Sequence, residues 1–424
     1  MAQRNSHLLD ASGQPIPMAS VFEAGGHRRR GVEDYRPQLA TADEALAYER
    51  PTITSRVEDL VRNDAVATAG VKREVDAVVG AGLTLASKPD RRALGLTTEQ
   101  ADDLAQQIET AWRSWAEDTG HWADAERQSD LHGVFYRAYR CQFVQGEALA
   151  VLPFRPRRGG AWGTMVQLVH PIRLSTPHTR THDPRLRDGV EIDAYGAARW
   201  YHVRETHPAD WTGRIGRAAP RWQRLPRETS QGRPLVVHAF EQAEPGGHRG
   251  ASALAPIVAK LRMHQRHSET ELEAAVVNAV LGAFVTTTDP SGIADVLGAE
   301  GMGAEGYNET RMAYHDEARI QLAGSRLPVL YPGERIDHAD ANRPNTAFAD
   351  FQQVFLRLMA SALGQSYEEL AMDWTNTNYS SARAALNEVW RGRDARRARF
   401  VDRFVMPVFL AWLEEAFEVG AVRP

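Results

Sequence analysis

The chain has 424 residues, 43% of them hydrophobic and 25% charged, enough to bury one large core or a few smaller ones. No run approaches the roughly 18 uninterrupted apolar residues of a membrane span, and Met1 to Asp10 lack the charged-then-apolar order of a secretory signal, so a protein made and used in the cytoplasm is expected. Cys141 is the only cysteine, which excludes an intrachain disulfide and any zinc site built on several thiolates, and a formal net charge of -5 speaks against a protein that grips nucleic acid tightly while leaving transient passage of DNA open.

Residues 1–50 mix Gly25-Gly26, Arg28-Arg29-Arg30 and scattered prolines without a sustained period, and read as an irregular, partly mobile arm. From Ile53 the apolar positions Val57, Leu60, Val61, Val71, Val75 and Val78 suit helices facing a core, ended by Gly80-Ala81-Gly82. A second helical run starts at Thr97, where Thr97 and Gln100 have capping-box spacing and Leu104, Ile108, Ala111, Trp112 and Trp115 share a face. A third covers Ser129 to Gln145. Between about residues 147 and 240 the texture becomes β-like, with short runs at Ala148–Phe154, Met165–His170, Arg199–Arg204 and Leu235–Phe240.

After Pro245-Gly246-Gly247 the pattern is helical again. Leu254, Ile257, Leu261, Leu272, Ala275, Val276, Ala279 and Val280 fit a helix starting close to Pro256 and running to Leu281. Residues 282–344 are rich in Gly, Asp and Pro and form a loop-rich insertion with short apolar runs at Gly282–Val285 and Leu327–Tyr331. Helices resume from Asn345, where Phe348, Phe351, Val354, Phe355, Leu358 and Met359 form a wide apolar stripe ended by Gly364. The tail repeats helically through Leu386, Val389, Trp390, Phe400, Phe404, Val408 and Trp412, with a kink or break expected at Pro407. Helices and short strands in this order make an α+β chain.

Few residues suggest chemistry. His264 and His267 lie near Glu269, Glu271 and Glu273, but two residues separate the histidines where the strong helical metal motif has three with a glutamate between, so solvated surface or a subunit contact is the better reading. Ser380 and Ser381 sit in no nucleophile elbow and read as helix N-caps. Arg391, Arg393, Arg396, Arg397, Arg399 and Arg403 form the densest basic cluster; Asp394 and Asp402 among them favour a solvated face or an inter-subunit ion-pair network over a DNA-reading helix. No Walker loop or dinucleotide fingerprint occurs, so neither enzyme nor cofactor is expected.

The order of several motifs carries more than any of them singly. Arg62-Asn63-Asp64 leads to Val78-Val79-Gly80-Ala81-Gly82; Phe143-Val144-Gln145-Gly146-Glu147, Pro245-Gly246-Gly247-His248-Arg249-Gly250, Tyr331-Pro332-Gly333-Glu334 and Asn378-Tyr379-Ser380-Ser381-Ala382-Arg383 follow. In this order the chain resembles the lambda-type phage portal proteins from about residue 55 onward. Two departures accompany the likeness: Gly247 stands where the family commonly has glutamine after Pro-Gly, and the chain ends soon after the Trp412 helix.

The resemblance implies a dodecameric homo-oligomeric ring at one capsid vertex, a conduit for double-stranded DNA during packaging and ejection, without catalytic residues. Its partners would be terminase, head-tail connector and capsid or scaffold proteins, and its place the virion, after assembly in the host cytoplasm. The fold implied is a portal fold: an arm (1–50), a mixed β/helical wing (51–245), a stem helix (246–281), a clip with a second stem element (282–330), a tunnel loop region (331–347) and a helical wing and short crown (348–424). Residues 286–307 would meet the packaging motor at the clip. The loop from His338 to Asn345 would project into the channel with Asp340, Asn342, Arg343 and Asn345 as its DNA-facing groups, short polar side chains and one cation that touch phosphates without holding them. Asn378, Tyr379, Ser380, Ser381 and Arg383 would be the family signature. Two other readings stand beside this one: a helical adaptor without a DNA channel, and a metal-dependent hydrolase using His264 and His267.

Overall fold

A computed structural model describes residues 37–156, 160–210, 219–281, 320–322, 325–327, 348–375 and 378–423, with Tyr35 and Ala313 as single residues. Its first helices are α1 (Ala42–Ala47), α2 (Arg50–Asn63), α3 (Ala65–Val78), α4 (Thr98–Ala116) and α5 (Leu131–Gln145). α1 lies within residues expected to be irregular: Thr41 accepts from the Glu44 amide at its start, a cap that the proline-rich surroundings hid. One residue separates α2 from α3. Asp64 ends the first helix in extended backbone and its carboxylate accepts from the Ala67 amide at 2.7 Å, capping the second. The Thr97–Gln100 capping box of α4 forms as expected, and Leu104, Ile108, Ala111, Trp112 and Trp115 all face the core.

Strands β1 (Glu147–Val151), β2 (Gln167–Val169), β3 (Leu186–Arg187), β4 (Val190–Ile192), β5 (Ala198–Arg204), β6 (Trp222–Pro226) and β7 (Val236–Phe240) follow. They form two antiparallel sheets, ordered β2-β1-β7 and β3-β4-β5-β6. The four β-like runs of the sequence each contain one strand. β3, β4 and β6 went unread because two are at most three residues long and Trp222-Gln-Arg-Leu-Pro226 does not alternate apolar with polar residues and ends in proline. β1 divides two cores, because successive side chains of a strand point to opposite faces. Ala148 and Ala150 belong to the main helical core, whereas Leu149 packs with Val169, Leu174, Val190, Tyr201, Val203 and Val236 in a second one.

A helical turn at Ala255–Ile257 leads into α6 (Val258–Leu281), whose start matches the Pro256 expectation. Leu272, expected to face a core, is 68% exposed. β8 (Ile320–Leu322) and β9 (Ser325–Leu327) pair antiparallel within the insertion read as loop-rich. Then come α7 (Phe348–Leu363), α8 (Tyr367–Ala371), α9 (Tyr379–Phe400), a π-turn (Val401–Val405) and α10 (Met406–Glu418). Pro407 sits in the first turn of α10. It lacks an N–H and its ring crowds the carbonyl four residues back, and the wide π-turn just before it accommodates both, so the expected break takes the form of a π-bulge.

The tail closes the main core. Trp412 meets Trp112 edge-on at 5.1 Å and stacks on Trp115 at 5.9 Å, while Phe400 and Phe404 pack on Tyr139 and Phe135 from α5. Buried Glu415 of α10 accepts from the Gly163 and Thr164 amides at 2.5 and 2.9 Å, tying the loop before β2 to the last helix.

Candidate functional site

Two of the sequence motifs meet in space. α5 ends at Gly146, whose φ of +94° is open to glycine at little cost, and Glu147 begins β1 immediately after it. Gly250, from the Pro245–Gly250 motif, lies against it so closely that a Cβ there would stand 2.0 Å from the Gly146 carbonyl oxygen. A Cβ on Gly146 would in turn stand 2.5 Å from the Ala251 carbonyl carbon. Two glycines are therefore needed for the backbones to touch.

That contact brings Arg249 onto Glu147. Arg249 Nε donates to Glu147 Oε2 at 2.9 Å and Nη2 donates to Oε1, a forked pair with both side chains excluded from water. Nη1 reaches the Leu174 carbonyl at 2.8 Å and the Asp188 carboxylate at 3.1 Å, and also donates to the Asp188 carbonyl; Nη2 reaches the Pro171 carbonyl at 3.1 Å. Arg50 of α2 approaches from the other side, 3.4 Å from Glu147 and 2.8 Å from Asp188. His238 of β7 donates from Nε2 to Glu147 Oε2 at 2.7 Å. Two guanidiniums and two carboxylates balance, so the buried charge is neutral as a set.

The electrostatics follow from the geometry. Burial alone would raise the Glu147 carboxyl, but the Arg249 charge and the bonds from Arg249 and His238 hold it well below the usual carboxylate range. Burial pushes His238 down, keeping the imidazole neutral as an Nε2–H donor, and burial likewise lowers Arg50. Beside this cluster His248 links two further segments: its amide and Nδ1 lie 2.7 and 2.8 Å from the Asp43 carboxylate of α1, and Nε2 lies 3.0 Å from the Gly196 carbonyl. Every charged group of the cluster is engaged with protein. The arrangement locks α1, α2, the β1–β7 sheet, the β3–β4 turn and the segment entering α6 into one joint.

Part of the basic cluster of α9 forms a second clamp within the chain. Buried Arg393 lies 2.8 Å from Glu369 and 3.6 Å from fully buried Glu74, and Arg396 lies 2.8 Å from Glu74. Arg397 donates to the Ala77 and Val78 carbonyls at the end of α3, where the helix leaves acceptors unpaired. Arg399 pairs with Glu241 at 2.9 Å, and Arg403 donates to the Phe240 carbonyl. The expectation of a solvated face is thus corrected for Arg393, Arg396 and Arg397, because α9 packs along α3, which supplies Glu74 and free carbonyls under them; Arg391, Arg399 and Arg403 lie on an exposed face as expected.

Nor do the histidines of α6 form a metal set. His264 stacks on Phe355 with ring centroids 4.9 Å apart and bonds Gln352, and His267 meets Phe351 edge-on at 4.8 Å. They join α6 to α7. Among the described residues no group of three His, Cys, Asp or Glu side chains could hold a metal ion, and no helix is long and apolar enough to cross a membrane.

Comparison with known proteins decides the family. The model for "Phage portal protein, lambda family" matches residues 28–397. The chain belongs to the lambda family of phage portal proteins. It is 31% identical over 404 residues to the portal protein of Escherichia phage N15, covering 94% of this chain and 75% of that one. Portal protein B of Escherichia phage lambda is 29% identical over 414 residues, covering 95% and 76%. Among solved structures, a chain of the virion of a native gene transfer agent particle aligns over 92% of this chain and 96% of its own length, at 14% identity and a TM-score of 0.38. At that score the alignment carries no argument.

Within this portal protein the signature residues sit at the start of α9. The Ala382 amide donates to the Asn378 carbonyl at 2.9 Å, which makes Asn378 the N-cap position and places Ser380 and Ser381 inside the first turn. The capping position expected of those serines falls on Asn378, just before the helix, and Arg383 is exposed on the helix. Asp340, Asn342, Arg343, Asn345 and the Tyr331–Glu334 motif lie outside the described residues. Sequence reasoning missed Arg50, Asp188 and His238, which are scattered singly along the chain. The signal for their partners was present: Glu147 and Arg249 each stand beside a glycine inside a motif.

Proposed function

We propose that this portal protein assembles as a dodecameric ring at one capsid vertex and serves as the conduit for double-stranded DNA in packaging and ejection, docking terminase on one side and head-tail connector proteins on the other. The family match over residues 28–397 carries the reading. The structure supplies a mechanical basis for it. α6, with 24 residues, is about 36 Å long at 1.5 Å per residue, the scale of a channel-side stem. The Glu147–Arg249 joint holds the segment entering that helix against the wing, so a force on the stem is passed to the sheet and to α2. A net charge of -5 suits a channel that lets phosphates slide.

In this reading residues 286–307 belong to the clip that meets terminase, and the loop 338–345 faces DNA through Asp340, Asn342, Arg343 and Asn345. Electron micrographs of the purified protein should show closed rings with a central channel; a monomer or dimer would favour the helical adaptor. Arg343→Ala should leave rings intact while changing the amount of DNA packaged or retained. Replacing Asp340 and Asn342 together with arginine should slow translocation, and the slowing should ease as salt rises, because each phosphate contact releases counterions. If both variants package like the parent at low and high salt, the loop does not face the channel.

A further inference from the structure

One stretch of backbone stands unpaired beside a groove. After α3 the chain runs from Leu83 to Pro89 with burial that alternates residue by residue: Leu83, Leu85, Ser87 and Pro89 are partly buried, whereas Thr84, Ala86 and Lys88 are exposed. A period of two is that of extended backbone. Leu83 and Leu85 pack on the main core, and the Ser87 amide donates to Glu109 of α4 at 2.8 Å. Neighbouring residues of an extended chain turn their N–H and C=O groups to opposite edges, so those of Thr84, Ala86 and Lys88 face away from Glu109. None of these groups makes a hydrogen bond among the described residues. An open edge of this kind is a template for another strand, and native proteins keep such edges short or covered. A groove of about 520 Å³ lies alongside, lined by Leu83, Leu85, Trp112, Phe135, Met406 and Phe409. Free backbone groups at the edge and room for alternate side chains beside it are the two requirements of recognition by strand addition.

The N-terminal arm carries a sequence that fits. Residues 18–24, outside the described residues, hold no proline and are bounded by Pro17 and Gly25-Gly26. In extended form Met18 and Phe22 would share one face, and Ala19, Val21 and Glu23 the other. The arm joins the body at α1, where Asp43 meets His248 at 2.8 Å, two residues before the Gly250 that abuts Gly146 at the end of α5. The open edge lies at the start of the same helix, where a Cβ on Gly82 would stand 2.8 Å from His132. With 15 residues α5 is about 22 Å long, so the arm and the edge sit at its opposite ends. Such a placement suits contact between copies, and the chain from Phe22 to Thr41 can span up to about 60 Å.

From the unpaired edge, the groove beside it and the position of the arm we infer that residues 18–24 of one copy add as a strand to the Thr84–Lys88 edge of the next, seating Phe22 in the groove. The inference rests on the ring reading above, since a closed ring requires two different parts of each subunit to meet head to tail. It goes further in naming them. Every subunit offers one arm and one edge, so the contact propagates from copy to copy.

The test uses the full-length chain carrying Ala19→Cys and Thr84→Cys together, treated with a short bismaleimide; both positions fall on the solvent side of the added strand, so Phe22 and the edge stay intact. Cys141 stays in place, as burial pushes its thiol up to about 11 and keeps it unreactive. A ladder of covalent oligomers is expected, absent from either single variant. Adding Ala86→Pro removes an N–H that nothing in the subunit uses, so the circular dichroism of the subunit should stay unchanged while the ladder falls at least tenfold. Independently, in the parent the amides of Thr84, Ala86 and Lys88 should exchange with deuterium at least tenfold more slowly in rings than in subunits diluted below the assembly concentration. Parent rings in micrographs together with no ladder, with cross-links confined to single chains, with a ladder undiminished by Ala86→Pro, or with equal exchange in rings and subunits would overturn the strand addition and leave the ring reading standing. Absence of rings from the parent itself would overturn both.

Discussion

Replacing Arg249 with methionine keeps its length and removes its charge, and the structure sets the cost. Glu147 would remain fully buried with Arg50 at 3.4 Å as its only cation and His238 as a neutral donor. Breaking one side of a buried ion pair costs about 3–5 kcal/mol. The Asp188 and Pro171 carbonyls would also lose their Arg249 donor, at roughly 1–3 kcal/mol each where no other donor replaces it, whereas Arg50 still reaches the Leu174 carbonyl. A loss of at least about 3 kcal/mol is expected, read by urea denaturation with the fluorescence of the Trp112–Trp115–Trp412 cluster as reporter.

The loss should depend on pH. In the parent, the folded Glu147 carboxyl titrates below its ordinary value of 4.5, so its stabilisation is complete above that value and fades as pH falls through the folded one. In Arg249→Met burial prevails and raises that carboxyl, so the folded variant takes up a proton that its unfolded chain does not hold. The gap between parent and variant should therefore narrow as pH drops from about 7 to about 5. Adding Glu147→Leu to the variant should recover part of the loss, the charge part, and leave the orphaned carbonyls. A single variant that loses less than about 1 kcal/mol, a gap flat with pH, or a double variant no better than the single would each refute the buried-pair argument.

Gly250→Ala should destabilise the subunit by about 2 kcal/mol or more in the same assay, since its Cβ would stand 2.0 Å from a backbone carbonyl that cannot yield without moving β1; unchanged stability would mean the two motifs do not touch. Arg393→Ala should cost about 2 kcal/mol or more, because Glu369 loses its cation and buried Glu74 keeps only Arg396 and the Tyr139 hydroxyl, whereas Arg391→Ala, 81% exposed at the side chain, should change subunit stability by less than about 0.5 kcal/mol. Equal effects of the two would show that α9 does not clamp α3 as described.

The helices were legible because their signals are local. Capping at Thr97, the apolar face of α4, the stop at Gly80 and the proline-defined start near Pro256 depend on residues within a turn or two of one another, and the backbone answers to them directly. The strands β3, β4 and β6 depend instead on pairing with neighbouring strands, which gives two- or three-residue segments and a non-alternating one their hydrogen bonds.

The same distinction holds for charge. Arginines repeated along α9 look alike in sequence, and only the packing of α9 on α3 separates buried Arg393, which answers Glu74, from Arg391 in water. Composition made Glu147, Arg249, Arg50, Asp188 and His238 unremarkable; the tertiary fold alone gathers them, because a buried charge is tolerable only where distant segments supply its counter-charges and donors together.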